Sequence, residues 1–271
     1  LTLLMCILLW WLHRSLHYQL ARVLPLASAL ALCTLSFVVH ASYGFFHEGQ
    51  RRKHLVRLFG SYVSPDWVQQ MVRSQNNYSM HASNEVLTVM FCDMRGFTRL
   101  AGQMAPLALQ ALLNDIFNRL SGVIQQHGGT IDKYMGDCVM AFWGAPQPQA
   151  DHAARAVACA QDLIAAVAHY NATRTAGVPA IQMGIGINTG LMCVGDMGSS
   201  IRRSYTVIGD AVNLASRLEG LCKSYQVPLV VSQSTQAAAD AQRATPAAWA
   251  WTLLGSATIE GMAAPVTIYT L

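Results

Sequence analysis

The chain has 271 residues, enough for one sizeable domain with accessory segments, and carries 53% hydrophobic against 12% charged residues. Its mean hydropathy of +0.30 is high for a soluble protein and arises locally, and a net charge of only +4 argues against a nucleic-acid-binding surface. The cysteines (Cys6, Cys33, Cys92, Cys138, Cys159, Cys193, Cys222) form no CxxC pair and no Cys/His ligand set, so they read as buried free thiols of a reducing compartment rather than as a structural zinc site.

The N-terminal apolar stretches come first. Residues 1–12 (LTLLMCILLWWL) are too short to cross a bilayer alone and read as the end of a span that begins in a longer protein, with Trp10 and Trp11 suited to an interfacial belt. Residues 23–46 are long enough to cross and contain no Asp, Glu, Lys or Arg, so they predict a transmembrane helix. Arg51, Arg52, Lys53 and Arg57 follow that run, against Arg14 and Arg22 before it, which places the C-terminal side in the cytoplasm. The division expected is a membrane segment at 1–47, a helical cytoplasmic linker at 48–84 and a catalytic domain at 85–271. In the linker, Leu55, Leu58, Phe59 and Tyr62 fall at helical spacing, and Ser64-Pro65-Asp66 stops one helix and starts another. Such a stripe suits either a solvated linker helix or a dimerising signal helix. Residues 73–84 are polar and turn-rich, and mark a boundary.

The chemistry-bearing part opens at residues 86–98 (VLTVMFCDMRGFT), an apolar run ending in Asp93 and followed by a Gly turn, which predicts a buried strand leading into a helix. Residues 106–127 read as an amphipathic helix with Leu109, Leu112, Leu113, Ile116, Phe117 and Leu120 on one face. Within residues 128–146 (GGTIDKYMGDCVMAFWGAP), two short β-prone runs are separated by Gly136-Asp137, which predicts a tight hairpin with Asp137 at its tip. Two carboxylates at strand ends beside a helix start would suit divalent ions bound to a polyphosphate, since hard cations take oxygen ligands and helix N-terminal amides favour anions. An Ala-rich helix then runs from Asp151-His152 to about Tyr170. Residues 181–189 form a Gly-interrupted strand, with 190–196 expected to pair beside it. A helix covers 211–225, a strand 228–231, and a short helix with strands near 249–254 and 266–271 ends the chain. The order is that of an α/β (α+β) fold with a ferredoxin-like βαββαβ core and a C-terminal subdomain.

These two motifs, with residues 204–220 (SYTVIGDAVNLASRLEG) downstream, resemble the class III adenylyl/guanylyl cyclase catalytic domain of membrane-bound bacterial adenylate cyclases. The resemblance implies that Asp93 and Asp137, helped by the Met94 carbonyl, bind two Mg2+ or Mn2+ ions, and that amides at Gly96, Phe97 and Thr98 hold the β- and γ-phosphates. It implies that Lys133 and Thr206 read adenine, because guanylyl cyclases place Glu and a small residue there. Asn213 and Arg217, one helical turn apart, would orient the ribose and stabilise charge on the α-phosphate. The implied reaction converts ATP to 3′,5′-cyclic AMP and pyrophosphate in a head-to-tail homodimer at the inner (plasma) membrane, with the catalytic domain cytoplasmic. No side chain stands out as a general base.

Two departures from the family pattern stand beside this. A phosphate-holding basic residue is commonly found where this chain has Gly184, and a lysine where it has Glu260. Arg202 and Arg203 are candidates to compensate. The alternatives to an adenylate cyclase are a guanylyl cyclase and a catalytically silent cyclase-like dimerisation module.

Overall fold

The computed structural model describes residues 82–174, 179–199, 203–242, 249–262 and 264–271, with residues 7, 10, 11, 14, 15, 33–40 and 42 before them. The chain divides into two units, Leu1–Phe59 and Gly60–Leu271. In the first, residues 33–40 are helical, and the Arg14 guanidinium lies 5.4 Å from the centre of the Trp10 ring. Among the described residues no helix is long and apolar enough to cross a membrane. Most of the span expected at 23–46, and the linker helices expected within 48–72, lie outside the described residues.

The second unit is built on one sheet. Its elements are β1 (Ser83–Met94), α1 (Phe97–Ala101), α2 (Pro106–Gln126), β2 (Thr130–Met135), β3 (Cys138–Trp143), α3 (His152–Thr173), β4 (Met183–Gly198), β5 (Arg203–Ile208), α4 (Asp210–Tyr225), β6 (Leu229–Ser232), α5 (Gln233–Gln242), β7 (Thr252–Ala257) and β8 (Val266–Thr270). The strand order is β2-β3-β1-β4-β6-β8-β7, with β5 pairing to β4 beside this path. The first four strands of that order are the ferredoxin-like arrangement expected, and β6 to β8 extend it. Strand β1 starts two residues before the expected boundary, Ser83 and Asn84 pairing with Val194 and Cys193.

Two expectations about strands change. Residues 190–196 do not form a separate neighbour: they continue β4, which runs sixteen residues along the whole of β1 and then pairs with β5. The glycines that looked like interruptions are contact points. A Cβ on Gly186 would lie 2.2 Å from the Glu219 amide nitrogen and 2.4 Å from the Ala215 carbonyl, so α4 rests directly on the β4 backbone there.

The apolar residues of β1 alternate between two cores. Met90, Cys92 and Met94 join Val139, Ala141 and Trp143 of β3 and Ile185 and Ile187 of β4 under helix α2, whose Leu112, Ile116, Leu120 and Ile124 repeat every fourth residue. On the opposite face, α4 packs Leu214, Leu218 and Cys222 against Val230 and Ile268. Strand β5 leans toward β3, its Tyr205 ring centred 6.1 Å from that of Phe142. Buried Asn188 donates to the Ala211 carbonyl (2.8 Å) and accepts from Ser232 (2.6 Å), which pins the start of α4 to β4 and β6. Cys92, Cys159 and Cys222 are buried free thiols, as expected, whereas Cys138 and Cys193, also without a disulfide, are only half-buried.

Candidate active site

Antiparallel pairing of Cys92 with Val139 sets the end of β1 beside the β2–β3 hairpin, whose loop is Gly136-Asp137. Gly136 has φ 66°, the backbone that a Gly-first two-residue hairpin requires. Asp93 and Asp137 therefore meet, and their carboxyls hydrogen-bond each other. Partial burial, and then the charge and hydrogen bond of Asp137, push the Asp93 carboxyl up to about 6, against a hydrogen bond from the Met94 amide that favours its charge. Two carboxylates held against their mutual repulsion form an oxygen donor set that a hard divalent cation would neutralise. The residues present thus fit such an ion.

A third carboxyl lies close by and was not evident in the sequence. Glu219 of α4 is pushed up to about 7, first by burial and next by the charge of Asp93, while Arg95 opposes the shift. A Cβ on Gly184 would stand 2.4 Å from Glu219 Oε1, so a carboxyl fills the space at the position where the family resemblance implied a basic side chain. Among the described residues no group of three or more His, Cys, Asp or Glu forms a metal-holding cluster. Glu219 is close enough to the pair for the charges of both Asp93 and Asp137 to act on it. Arg95 is anchored by its side chain on the Val227 carbonyl and by its amide on Gln182 (2.8 Å).

The expected base-reading residues also come together. Lys133 Nζ lies 3.3 Å from Thr206 Oγ1 across β2 and β5. Asp132, which the sequence reading passed over, completes a triad. Its Oδ2 accepts from the Thr206 hydroxyl (2.5 Å) and the Val207 amide (3.3 Å), and its Oδ1 lies 3.1 Å from Lys133 Nζ. The Asp132 side chain is fully enclosed, whereas Lys133 is 44% exposed. The register shifts between Ile131 and Lys133, so Asp132 is the extra residue of a β-bulge. Without that bulge, Asp132 and Lys133 would face opposite sides of the strand.

Gly96, with φ 75°, turns the chain into α1, and Phe97 and Thr98 are that helix's first residues, whose amides have no acceptor within the helix. Asn213 and Arg217 project together from α4 and are exposed. Arg217 pairs with Glu260 at 3.2 Å, so the glutamate at the position where the resemblance implied a lysine meets the arginine instead. Arg203 pairs with Asp196 at 3.4 Å, and Arg202 lies outside the described residues. Among the described residues, no hydrogen bond or ion pair joins Asp93 and Asp137 to Lys133 and Thr206 or to Arg217.

A sheet-end carboxylate pair offers oxygen donors to a hard cation, and a lysine beside a hydroxyl offers a hydrogen-bond donor next to an oxygen that can accept. The family described as "Adenylate and Guanylate cyclase catalytic domain" matches residues 79–271, and the chain belongs to that family. It is 33% identical over 221 residues to adenylate cyclase 1 of Rhizobium meliloti, covering 81% of this chain and 32% of that protein. It is 39% identical over 154 residues to the adenylate cyclase of Anabaena cylindrica, covering 56% and 30% respectively. The chain thus spans about a third of the length of these relatives. Among solved structures, the guanylyl cyclase Cya2 aligns with a TM-score of 0.61 at 35% identity, covering 69% of this chain and 92% of that one. The adenylyl cyclase CyaB from P. aeruginosa aligns with a TM-score of 0.59 at 33% identity, covering 70% and 94%.

Proposed function

We propose that this chain converts ATP to 3′,5′-cyclic AMP and pyrophosphate, working as a head-to-tail homodimer anchored in the inner (plasma) membrane with its catalytic domain on the cytoplasmic side. The observation that carries the choice of base is the Lys133–Thr206 pair, 3.3 Å apart. A lysine ammonium only donates and suits adenine N1, while a threonine oxygen can accept from the 6-amino group. The adenylate cyclases among the relatives support the same reading.

Asp93 and Asp137, with the Met94 carbonyl, would hold two Mg2+ or Mn2+ ions, which when bound supply acidity at the ribose 3′-hydroxyl and neutralise the leaving pyrophosphate. The first amides of α1, around Gly96, Phe97 and Thr98, receive the β- and γ-phosphates. Asn213 orients the ribose. Arg217 stabilises charge growing on the α-phosphate, for which a fixed guanidinium is well suited. The 3′-oxygen attacks the α-phosphorus in line with the departing pyrophosphate, and most of the rate enhancement is positioning and electrostatics. Asn213 and Arg217 are exposed on α4, and Arg217 pairs with Glu260 rather than with Asp93 or Asp137, which favours a site completed by a second copy. Membrane anchoring rests on the uncharged run at residues 23–46.

A catalytically silent reading has its own support: Glu219 fills the space at Gly184 and Glu260 pairs with Arg217, so carboxylates stand at both positions where phosphate-holding cations were expected. The deciding experiment supplies the full chain, in membranes, with ATP or GTP and either metal. Cyclic AMP from ATP, abolished by Asp93→Ala with Asp137→Ala, supports the proposal. Cyclic GMP as the main product would favour the guanylyl alternative, and no product from intact dimers would favour the silent module.

A further inference from the structure

We infer that Asp132 is a specificity-positioning residue: it captures the only hydroxyl proton of Thr206 and so presents that oxygen to the base pocket as an acceptor alone. The inference rests on the adenylate cyclase reading and deepens it. It begins from an ambiguity in that reading. A threonine hydroxyl can donate or accept, so by itself it fits a 6-amino group or a 6-oxo group equally well. Something must fix its proton before it can discriminate.

The geometry around β2 supplies that element. A carboxylate has only acceptors, and Asp132 Oδ2 lies 2.5 Å from Thr206 Oγ1, so the hydroxyl must be the donor in this contact. Oδ2 also accepts from the Val207 amide at 3.3 Å, which holds the carboxylate against β5. The Asp132 side chain is wholly enclosed, so no water competes for its oxygen. With its proton committed, Thr206 retains lone pairs only. In the structure one of them receives Lys133 Nζ at 3.3 Å. The pair therefore shows a pure donor at Lys133 beside a pure acceptor at Thr206. Adenine offers the complementary pattern, an acceptor at N1 beside a 6-amino donor. Guanine offers the reverse, an N1 donor beside a 6-oxo acceptor, and meets like against like at both positions. Mismatched polar groups in a closed pocket discriminate far more strongly than shape.

The β-bulge explains how the sequence builds this. In a regular strand Asp132 and Lys133 would point to opposite faces, and only the extra residue between Ile131 and Lys133 sets carboxylate and ammonium side by side.

The test uses the full chain and reads binding of 3′-deoxy-ATP and 3′-deoxy-GTP, which cannot cyclise, by displacement of a fluorescent ATP analogue, alongside kcat/KM for ATP and GTP. The wild type is expected to favour the adenine nucleotide. Asp132→Asn, whose amide can donate to Thr206 and turn its proton toward the pocket, is expected to lower the adenine-to-guanine ratio at least about tenfold. In a Thr206→Ala background the same substitution is expected to leave the ratio unchanged. A purely structural role would weaken both nucleotides together and leave the ratio standing. A probe on the unaltered protein covers the case in which Asp132→Asn does not fold: purine riboside triphosphate, which lacks the 6-amino group, should bind at least about tenfold more weakly than ATP. Equal binding of that probe and ATP, an unchanged ratio in folded Asp132→Asn, or an equal effect of Asp132→Asn with and without the Thr206 hydroxyl would each overturn the inference. A wild type that favours the guanine nucleotide would overturn the adenylate cyclase reading itself, and this inference with it.

Discussion

Asp93 carries a cost in stability that a cation at the proposed site would offset. Its carboxyl is raised to about 6 by burial and by Asp137, which means the folded protein prefers it protonated. A raised carboxyl contributes stability that is fully present below the unfolded value, about 4, and is lost as pH climbs through about 6. Asp93→Asn removes the repulsion. In metal-free protein it should therefore raise the melting midpoint at pH 8 by a few degrees, the shift expected for about 1 kcal/mol in a domain of this size. At pH 5, where Asp93 is mostly protonated, the gain should nearly vanish. Calorimetry at the two pH values checks this, and an equal gain at both would contradict it. Comparing variant with wild type at each pH also cancels His152, whose imidazole is lowered by burial and titrates with the opposite sign. Glu260 acts at the same scale. It lies 3.2 Å from Arg217 and would compete with a phosphate for that guanidinium. Glu260→Lys should lower the KM for ATP about threefold or more, because it frees one cation and adds another near the phosphates; an unchanged or higher KM in steady-state assays would contradict that reading.

Helix α4 is the element on which the site depends most, since one face carries Asn213 and Arg217 and the other sets Glu219 toward Asp93. Its height above the sheet is fixed by Gly186. Gly186→Ala would drive a methyl into the Glu219 amide and Ala215 carbonyl, and both are backbone that cannot swing aside. The expected result is a loss of about 1–3 kcal/mol in denaturant unfolding, the usual range for overpacking, together with a fall in kcat as Arg217 is displaced. Much of the candidate site's layout was legible in advance. Asp93 ends an apolar run, Asp137 follows Gly136 between two β-prone runs, and Asn213 and Arg217 are spaced by one turn, all patterns that survive in one dimension. Asp132 and Glu219 were not legible, for two physical reasons. A β-bulge leaves no mark on alternation until the partner strand is known, so Asp132 reads as an ordinary outward strand residue. Glu219 reads as a polar position on a helix surface until the helix is seen to lie flat on two glycines. The same blindness made residues 190–196 look like a second strand, because glycine signals both a chain break and a close backbone approach.

At the scale of the whole molecule, no hydrogen bond or ion pair among the described residues joins the three candidate groups of one chain. Asp93 and Asp137 meet, Lys133 and Thr206 meet, and Arg217 turns outward to Glu260. A head-to-tail pair of chains would bring one copy's carboxylates to the other copy's lysine, threonine, asparagine and arginine, forming two equivalent sites. Subunit mixing tests that claim most directly. Full-length Asp93→Ala/Asp137→Ala protein and full-length Arg217→Ala protein are each expected to form almost no cyclic AMP from ATP. Co-expressed in equal amounts, half the dimers should be mixed, and each mixed dimer should hold one intact site, restoring about a quarter of wild-type cyclic AMP formation. Mixed dimers that form but make no cyclic AMP, or either variant alone retaining wild-type turnover, would contradict the account.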